Sequence, residues 1–245
     1  MKILAIDIGN SRTSIGCFDD RRLLWRDDLN ISDVIGDIHR ITANRVDVCV
    51  ISRVSVQAEC IETAIQSQME CRILVVNHAE SPLEIRYRHP EKLGQDRIAN
   101  ALAAHDFAPE GAIVVDFGTA THFDVVDSEG VFWGGPILLG VESMVSALSQ
   151  RVPHLPGISL DSEVEVIASS TESAIKAGAI LGTAGAVDKI IQMMKTQVEF
   201  TPKIIITGGN AALVAPYLTF DVWDPDLTLK GLCQYALLRI QSSLI

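Results

Sequence analysis

Short apolar runs rich in β-branched residues occupy 2–8, 13–18, 46–51, 72–76, 112–117, 122–127, 131–137 and 203–207. Between them lie stretches with helical spacing near 56–69, 96–106, 141–149, 172–197, 210–215 and 228–243. Strands interleaved with helices predict α/β layers. Asp127-Ser128-Glu129-Gly130 reads as a hairpin turn and Cys17-Phe18-Asp19-Asp20 closes a similar unit, so each half of the chain opens with a three-strand meander. The polar link Phe107-Ala108-Pro109-Glu110-Gly111 predicts a boundary between a domain over 1–108 and one over 109–245. The longest irregular stretch, 150–171, carries Pro153, Pro156 and Gly157 and is placed to cover a site or pack on a neighbour.

The opening run Ile3-Leu4-Ala5-Ile6-Asp7-Ile8-Gly9-Asn10-Ser11 is echoed at Ala112-Ile113-Val114-Val115-Asp116-Phe117-Gly118-Thr119-Ala120-Thr121. Each ends in Asp-x-Gly followed by small polar residues. A glycine just past a strand lets backbone N–H groups approach a phosphate, neighbouring hydroxyls add donors, and the aspartate can hold a cation or poise a water. One Asp-x-Gly is an ordinary strand-to-turn signal; two in matching context predict a phosphate-binding cleft between two related halves. A third run, Lys203-Ile204-Ile205-Ile206-Thr207-Gly208-Gly209-Asn210, ends in a glycine pair. The pair suits either close approach to a flat ligand such as a nucleoside or a tight strand-to-helix turn. Neither the P-loop pattern nor Gly-x-Gly-x-x-Gly occurs, which argues against those nucleotide folds.

The net charge of −11 argues against a nucleic-acid polymer as partner, because phosphate binding along a polymer needs clustered Lys and Arg. A small anion held by glycine loops is still allowed. The run Met1-Lys2-Ile3-Leu4-Ala5 enters a strand containing Asp7 rather than a signal-peptide core, and no apolar stretch reaches membrane-spanning length. A cytoplasmic protein with no membrane partner is expected. Five cysteines without a Cys-x-x-Cys pair, and six scattered histidines, favour packing thiols over disulfides or structural zinc.

The three glycine-ended segments resemble the phosphate 1, phosphate 2 and adenosine motifs of the actin and hexokinase superfamily. That resemblance implies an α/β fold of two ribonuclease H-like (actin-like) domains, with mixed sheets flanked by helices and a cleft between them. Over nearly its whole length the chain resembles type III pantothenate kinases. The resemblance is carried by Asp7 to Ser11, Ile51-Ser52-Arg53-Val54, Tyr87-Arg88-His89-Pro90, Gly94-Gln95-Asp96-Arg97-Ile98-Ala99-Asn100 and Asp116 to Thr121. Gly134-Gly135, Thr207-Gly208-Gly209, Thr171 with Ala174-Ile175-x-x-Gly178-x-x-x-Gly182, and the tail Pro225-Asp226-Leu227-Thr228-Leu229-Lys230-Gly231-Leu232 add to it.

The resemblance implies ATP-dependent phosphorylation of pantothenate to 4'-phosphopantothenate, the first step of coenzyme A synthesis, by a homodimer using ATP with Mg2+ and a monovalent cation, K+ or NH4+. It places the catalytic base at Asp96, ATP phosphate contacts at Asp7, Ile8, Gly9, Asn10, Ser11, Arg12, Thr13, Ser14 and Thr119, and the monovalent cation on Asp116. It places pantothenate contacts at Tyr87, Gly94, Gln95, Asp96, Arg97 and Thr171. Arg97 would neutralise either the pantothenate carboxylate or the transferred phosphoryl group.

By spacing alone, Asp96 reads as the N-cap of a helix Arg97–Asp106, Arg97 as a surface side chain, Tyr87 as a half-buried strand residue, Gly94 as a turn and Thr171 as an N-cap. The chain departs from the family pattern at Thr121-His122-Phe123-Asp124, at Gly134-Gly135-Pro136-Ile137-Leu138-Leu139-Gly140 and at Val152-Pro153-His154-Leu155-Pro156. These changes touch substrate-loop detail and spare the base, cation and phosphate positions; His122 is expected as a strand residue. The alternatives are a kinase for another small acceptor, or a non-catalytic nucleotide-binding regulator of the same superfamily.

Overall fold

The computed structural model describes residues 1–42, 45–55 and 57–242. In chain order they form β1 (Lys2–Ile8), β2 (Arg12–Asp19), β3 (Arg22–Asn30), α1 (Ile38–Thr42), β4 (Val48–Arg53), α2 (Ala58–Gln68), β5 (Arg72–Val75), β6 (Glu84–Ile85), α3 (Gln95–Phe107), β7 (Gly111–Phe117), β8 (Ala120–Asp127), β9 (Val131–Gly134) and β10 (Ile137–Leu139). There follow α4 (Val141–Arg151), α5 (Thr171–Lys195), β11 (Lys203–Thr207), α6 (Ala211–Val214), β12 (Val222–Trp223) and α7 (Leu227–Ser242). The chain divides into two compact units, one of residues 1–109, 128–133 and 226–245, the other of 110–127 and 134–225.

In the first unit the strand order is β3-β2-β1-β4-β5. The first three strands are antiparallel, as adjacent meander strands can be, whereas β1, β4 and β5 are parallel and need crossovers, which the segments bearing α1 and α2 supply. β1 is buried on both faces. Leu4, Ile6 and Ile8 join Ile15, Cys17, Cys49 and Ile51 in a core with Ile38, Ile61 and Ile65, while α7 packs over the opposite face. α7 also crosses α3 closely. A Cβ on Gly231 would run into the backbone of Ala99, and Thr228 Oγ1 donates to Asn100 Oδ1 at 2.8 Å.

The second unit repeats the arrangement as β10-β8-β7-β11-β12, with β7, β8 and β10 antiparallel and β7, β11 and β12 parallel. Its core joins Val115, Phe117, Phe123, Ile204 and Ile206 to Ile180, Val187 and Ile191 of α5. Each unit thus has the ribonuclease H-like strand order, and the fold is α/β of the actin-like kind. Residues 152–170 hold no regular element, yet they pack on their own unit. Ile158, Leu160 and Val164 lie on its core, Lys176 pairs with Asp161 at 2.9 Å, and Tyr217 donates to the Ser162 carbonyl at 2.7 Å.

Three local expectations change. The run 131–137 breaks into β9 and β10, because Gly134 has φ +79° and Gly135 lies so close to Phe123 that a Cβ would strike its backbone. β4 ends at Arg53 rather than Ile51, which brings Ser52 into the ladder beside β1. The cap of α5 is Ser170, in a reciprocal pair with Ser173, and Thr171 is the helix's first residue rather than its cap. Cys17, Cys49 and Cys233 are buried free thiols; burial pushes the Cys49 thiol up and the Cys233 thiol up to about 12. No helix among the described residues is long and apolar enough to cross a membrane.

Candidate active site

Asp7 is the last residue but one of β1, where alternation turns it away from the Leu4, Ile6 and Ile8 face. In the ladder it pairs with Ser14 on β2 and Ser52 on β4. Ser14 Oγ donates to Asp28 Oδ1 at 2.6 Å, and Arg26 bridges Asp28 at 2.9 Å and Asp226 at 2.8 Å, so the β2–β3 side of this row is cross-braced. Beyond Ile8 the chain turns tightly, with Gly9 N–H donating to the Arg12 carbonyl at 3.0 Å. A Cβ on Gly9 would lie 2.8 Å from that oxygen, so the turn requires glycine. Asn10, Ser11 and Arg12 are exposed, whereas Thr13 is buried and Ser14 half-buried. The exposed loop end carries polar side chains, as a phosphate loop needs.

α3 begins beside the same strand ends. Gln95 Oε1 accepts the Arg53 backbone N–H at 2.7 Å, which ties the first turn of α3 to the end of β4. The N-cap is Gly94, not Asp96; Asp96 is the second helical residue, and its Oδ1 accepts the Arg97 N–H at 2.9 Å. A carboxylate in a helix's first turn faces the positive end of the macrodipole. A Cβ on Gly94 would collide with Asp96 Oδ1, so the glycine leaves that oxygen room.

Arg97 is 5% exposed, which corrects its reading as a surface side chain. Its guanidinium carbon lies 5.8 Å from the ring centroids of both Tyr87 and Phe132, which are themselves 6.4 Å apart. Two ring faces near one buried guanidinium compensate part of its lost hydration. Phe132 arrives because β9 pairs with β6, in register at Ile85. The first unit thus gathers Tyr87, Gly94, Gln95, Asp96 and Arg97 at the start of α3.

In the second unit Asp116 holds the position that Asp7 holds in the first: last but one on its strand, paired with His122 on the antiparallel neighbour and with Thr207 on the parallel one. Gly208, at φ +95°, packs so close to Asp116 Oδ1 and the Phe117 backbone that a Cβ there would collide. The glycine pair therefore makes a strand-to-helix turn against the end of β7. His122, expected only as a strand residue, does lie on β8, and its ring sits between two carboxylates. Nδ1 is 3.0 Å from Asp124 Oδ2 and Nε2 is 3.5 Å from Asp116 Oδ2, with Asp124 fully buried. Residues two apart on a strand share a face, so the His122/Asp124 spacing was a usable signal.

Thr119 is exposed, and its carbonyl accepts from Gly140 N–H at 3.0 Å and Ser143 Oγ at 2.8 Å, which fixes the loop after β7. Thr171 is exposed on the first turn of α5. A separate cavity of about 650 Å³ in this unit is lined by Glu142, Ser146 and Ser149 of α4 and by residues 157–160; none of the residues named for the site lines it. No cluster of three or more His, Cys, Asp or Glu among the described residues could hold a metal by itself.

The family model for type III pantothenate kinases matches residues 3–193. A type III pantothenate kinase of Dehalococcoides mccartyi is 34% identical over 94% of this chain and 95% of its own. One of Desulfosudis oleivorans is 37% identical over 94% of this chain and 96% of its own. Among solved structures, a conserved Baf family protein of Campylobacter jejuni superposes with a TM-score of 0.64 at 21% identity, covering 97% of this chain and 99% of that one, a likeness of fold. With two ribonuclease H-like units, each ending its first strand in Asp-x-Gly, and relatives matched along almost the full length, the chain belongs to the type III pantothenate kinase family.

Proposed function

We infer that the protein transfers the γ-phosphoryl group of ATP to the primary hydroxyl of pantothenate, giving 4'-phosphopantothenate and ADP at the start of coenzyme A synthesis. The observation that carries this reading is the start of α3, where Asp96 stands in the first turn and Arg97 is buried against Tyr87 and Phe132, inside a chain of this family. Phosphoryl transfer depends mainly on alignment and charge neutralisation. Asp96 orients the attacking hydroxyl and accepts its proton. Arg97 offers a planar fork of donors to the pantothenate carboxylate or to the transferred group, with the two rings restricting its movement. Tyr87, Gly94, Gln95 and Thr171 are assigned to pantothenate by the family resemblance.

ATP binds through the loop Asp7 to Ser14, in which Ile8 and Gly9 set the turn, Asn10, Ser11 and Arg12 present polar groups, and Thr13 returns to the sheet. Thr119 contacts phosphate from the second Asp-x-Gly loop. Magnesium, when bound with ATP, neutralises phosphate charge; Asp7 would hold it, and one carboxylate beside hydroxyls fits an ion that takes most of its ligands from phosphates and water. Asp116 offers hard carboxylate oxygens fit for K+ or NH4+, with His122 against Oδ2. A homodimer and a cytoplasmic location complete the proposal.

Asp96→Asn tests the mechanism. It keeps the side-chain shape and an oxygen for the Arg97 N–H, so folding and ATP binding should persist while turnover falls by roughly 10²–10⁴-fold, the span of general-base contributions. Unchanged turnover would remove Asp96 from proton transfer.

A further inference from the structure

Ser52 is fully buried on β4, and its Oγ has no hydrogen-bond partner among the described residues. Buried hydroxyls are almost always satisfied, so one left over calls for a partner outside the protein atoms. The ladder says where it lies. Ser52 pairs with Asp7 across the parallel β1–β4 pair, with about 4.8 Å between neighbouring strands, and both alternate away from the Leu4, Ile6, Ile8, Cys49 and Ile51 face. On the other side of Asp7, Ser14 is occupied by Asp28. One residue beyond Ser52, the Arg53 N–H is taken by Gln95. Ser52 therefore offers an uncommitted buried hydroxyl beside Asp7, on β4, the strand that anchors the start of α3.

The second unit repeats the placement. Thr207, 1% exposed, pairs with Asp116 across the parallel β7–β11 ladder as Ser52 pairs with Asp7. Each unit thus sets a buried hydroxyl residue beside the aspartate that ends its first strand, although sequence motifs alone connect neither hydroxyl to its aspartate.

We propose that Ser52 is a positioning residue for the magnesium–nucleotide group held at Asp7, its hydroxyl hydrogen-bonding to the oxygen shell of the hydrated ion. This rests on the reading of Asp7 as the nucleotide-loop carboxylate. The hydroxyl acts on the metal-loaded nucleotide, so its contribution depends on magnesium.

The test is calorimetric titration of the full chain and its Ser52→Ala, Ser52→Thr and Asp7→Asn variants with ADP in excess magnesium and with ADP in EDTA, alongside melting temperatures of the free proteins. Ser52→Ala should weaken magnesium–ADP binding by roughly tenfold, the scale of one hydrogen bond, and leave metal-free ADP binding and the melting temperature of the free protein near those of the parent. Ser52→Thr should restore magnesium–ADP affinity. Equal affinity of Ser52→Ala and parent for magnesium–ADP overturns the proposal, as does an equal loss for both ADP forms, or a fallen melting temperature with affinities intact. If Asp7→Asn keeps the parent's preference for the magnesium form, the nucleotide-loop reading itself fails and the proposal falls with it. A loss confined to Asp7→Asn overturns the Ser52 role alone.

Discussion

At the residue scale, the site is a matter of which polar atoms the sheet ends leave committed. Asp7 and Asp116 occupy the same place in two copies of one topology, but their neighbours differ: Ser14 and Ser52 flank the first, His122 and Thr207 the second. The ring of His122, held against the fully buried Asp124, lies beside one oxygen of Asp116, the carboxylate assigned to the monovalent cation. Asp116→Ala removes that ligand. The K+ or NH4+ concentration for half-maximal activation should then rise by about tenfold or more, equivalent to about 1.4 kcal/mol, or activation should vanish. Activity measured across a salt series, at constant ionic strength with Na+ or choline as replacement, decides it. An unaltered activation curve would remove Asp116 from the cation site.

At the element scale, α7 packs on the face of the first unit's sheet and lies close against α3 along an extensive contact. Gly231 lies against the Ala99 backbone, two residues after the start-of-helix pair Asp96 and Arg97. Gly231→Ala gives α7 better intrinsic propensity yet drives a methyl into a main chain that cannot yield as a side chain would. The collision should win: a net loss of about 1–3 kcal/mol, with a lowered melting temperature and reduced turnover from a displaced Asp96. A variant as stable as the parent would show the helices free to separate.

The elements that the hydrophobic pattern announced are those whose faces are buried: β1, β7 and β11 read directly as apolar runs. β3 did not, because Arg22–Asn30 is an edge strand with every second residue exposed and few β-branched side chains. The split between β9 and β10 was hidden because Gly134 and Gly135 interrupt a run whose apolar count continues. The site divides in the same way. Asp-x-Gly and Gly-x-Asp-Arg are local and were visible, whereas Phe132 beneath Arg97 and Ser52 beside Asp7 depend on pairings between distant segments that no local spacing encodes.

At the scale of the whole molecule, the duplicated Asp-x-Gly corresponds to a duplicated architecture: strand order, direction and the register of the aspartate all recur. No local pattern in 226–245 says which unit its helix joins; its contacts do, with α3, β1 and β2. The acidic balance of −11 leaves small-anion binding to backbone groups and a few placed cations rather than to an overall field, and Arg97, buried at 5% exposure, is the cation proposed above for that role. The direct test of the proposed reaction is to incubate purified protein with magnesium, ATP and pantothenate, with and without K+ or NH4+, and to follow 4'-phosphopantothenate by mass spectrometry. Product should form in proportion to ADP released, depend on the monovalent cation and be nearly abolished in Asp96→Asn. Folded, ATP-binding protein that forms no phosphopantothenate under either condition would contradict that reaction and turn attention to another acceptor.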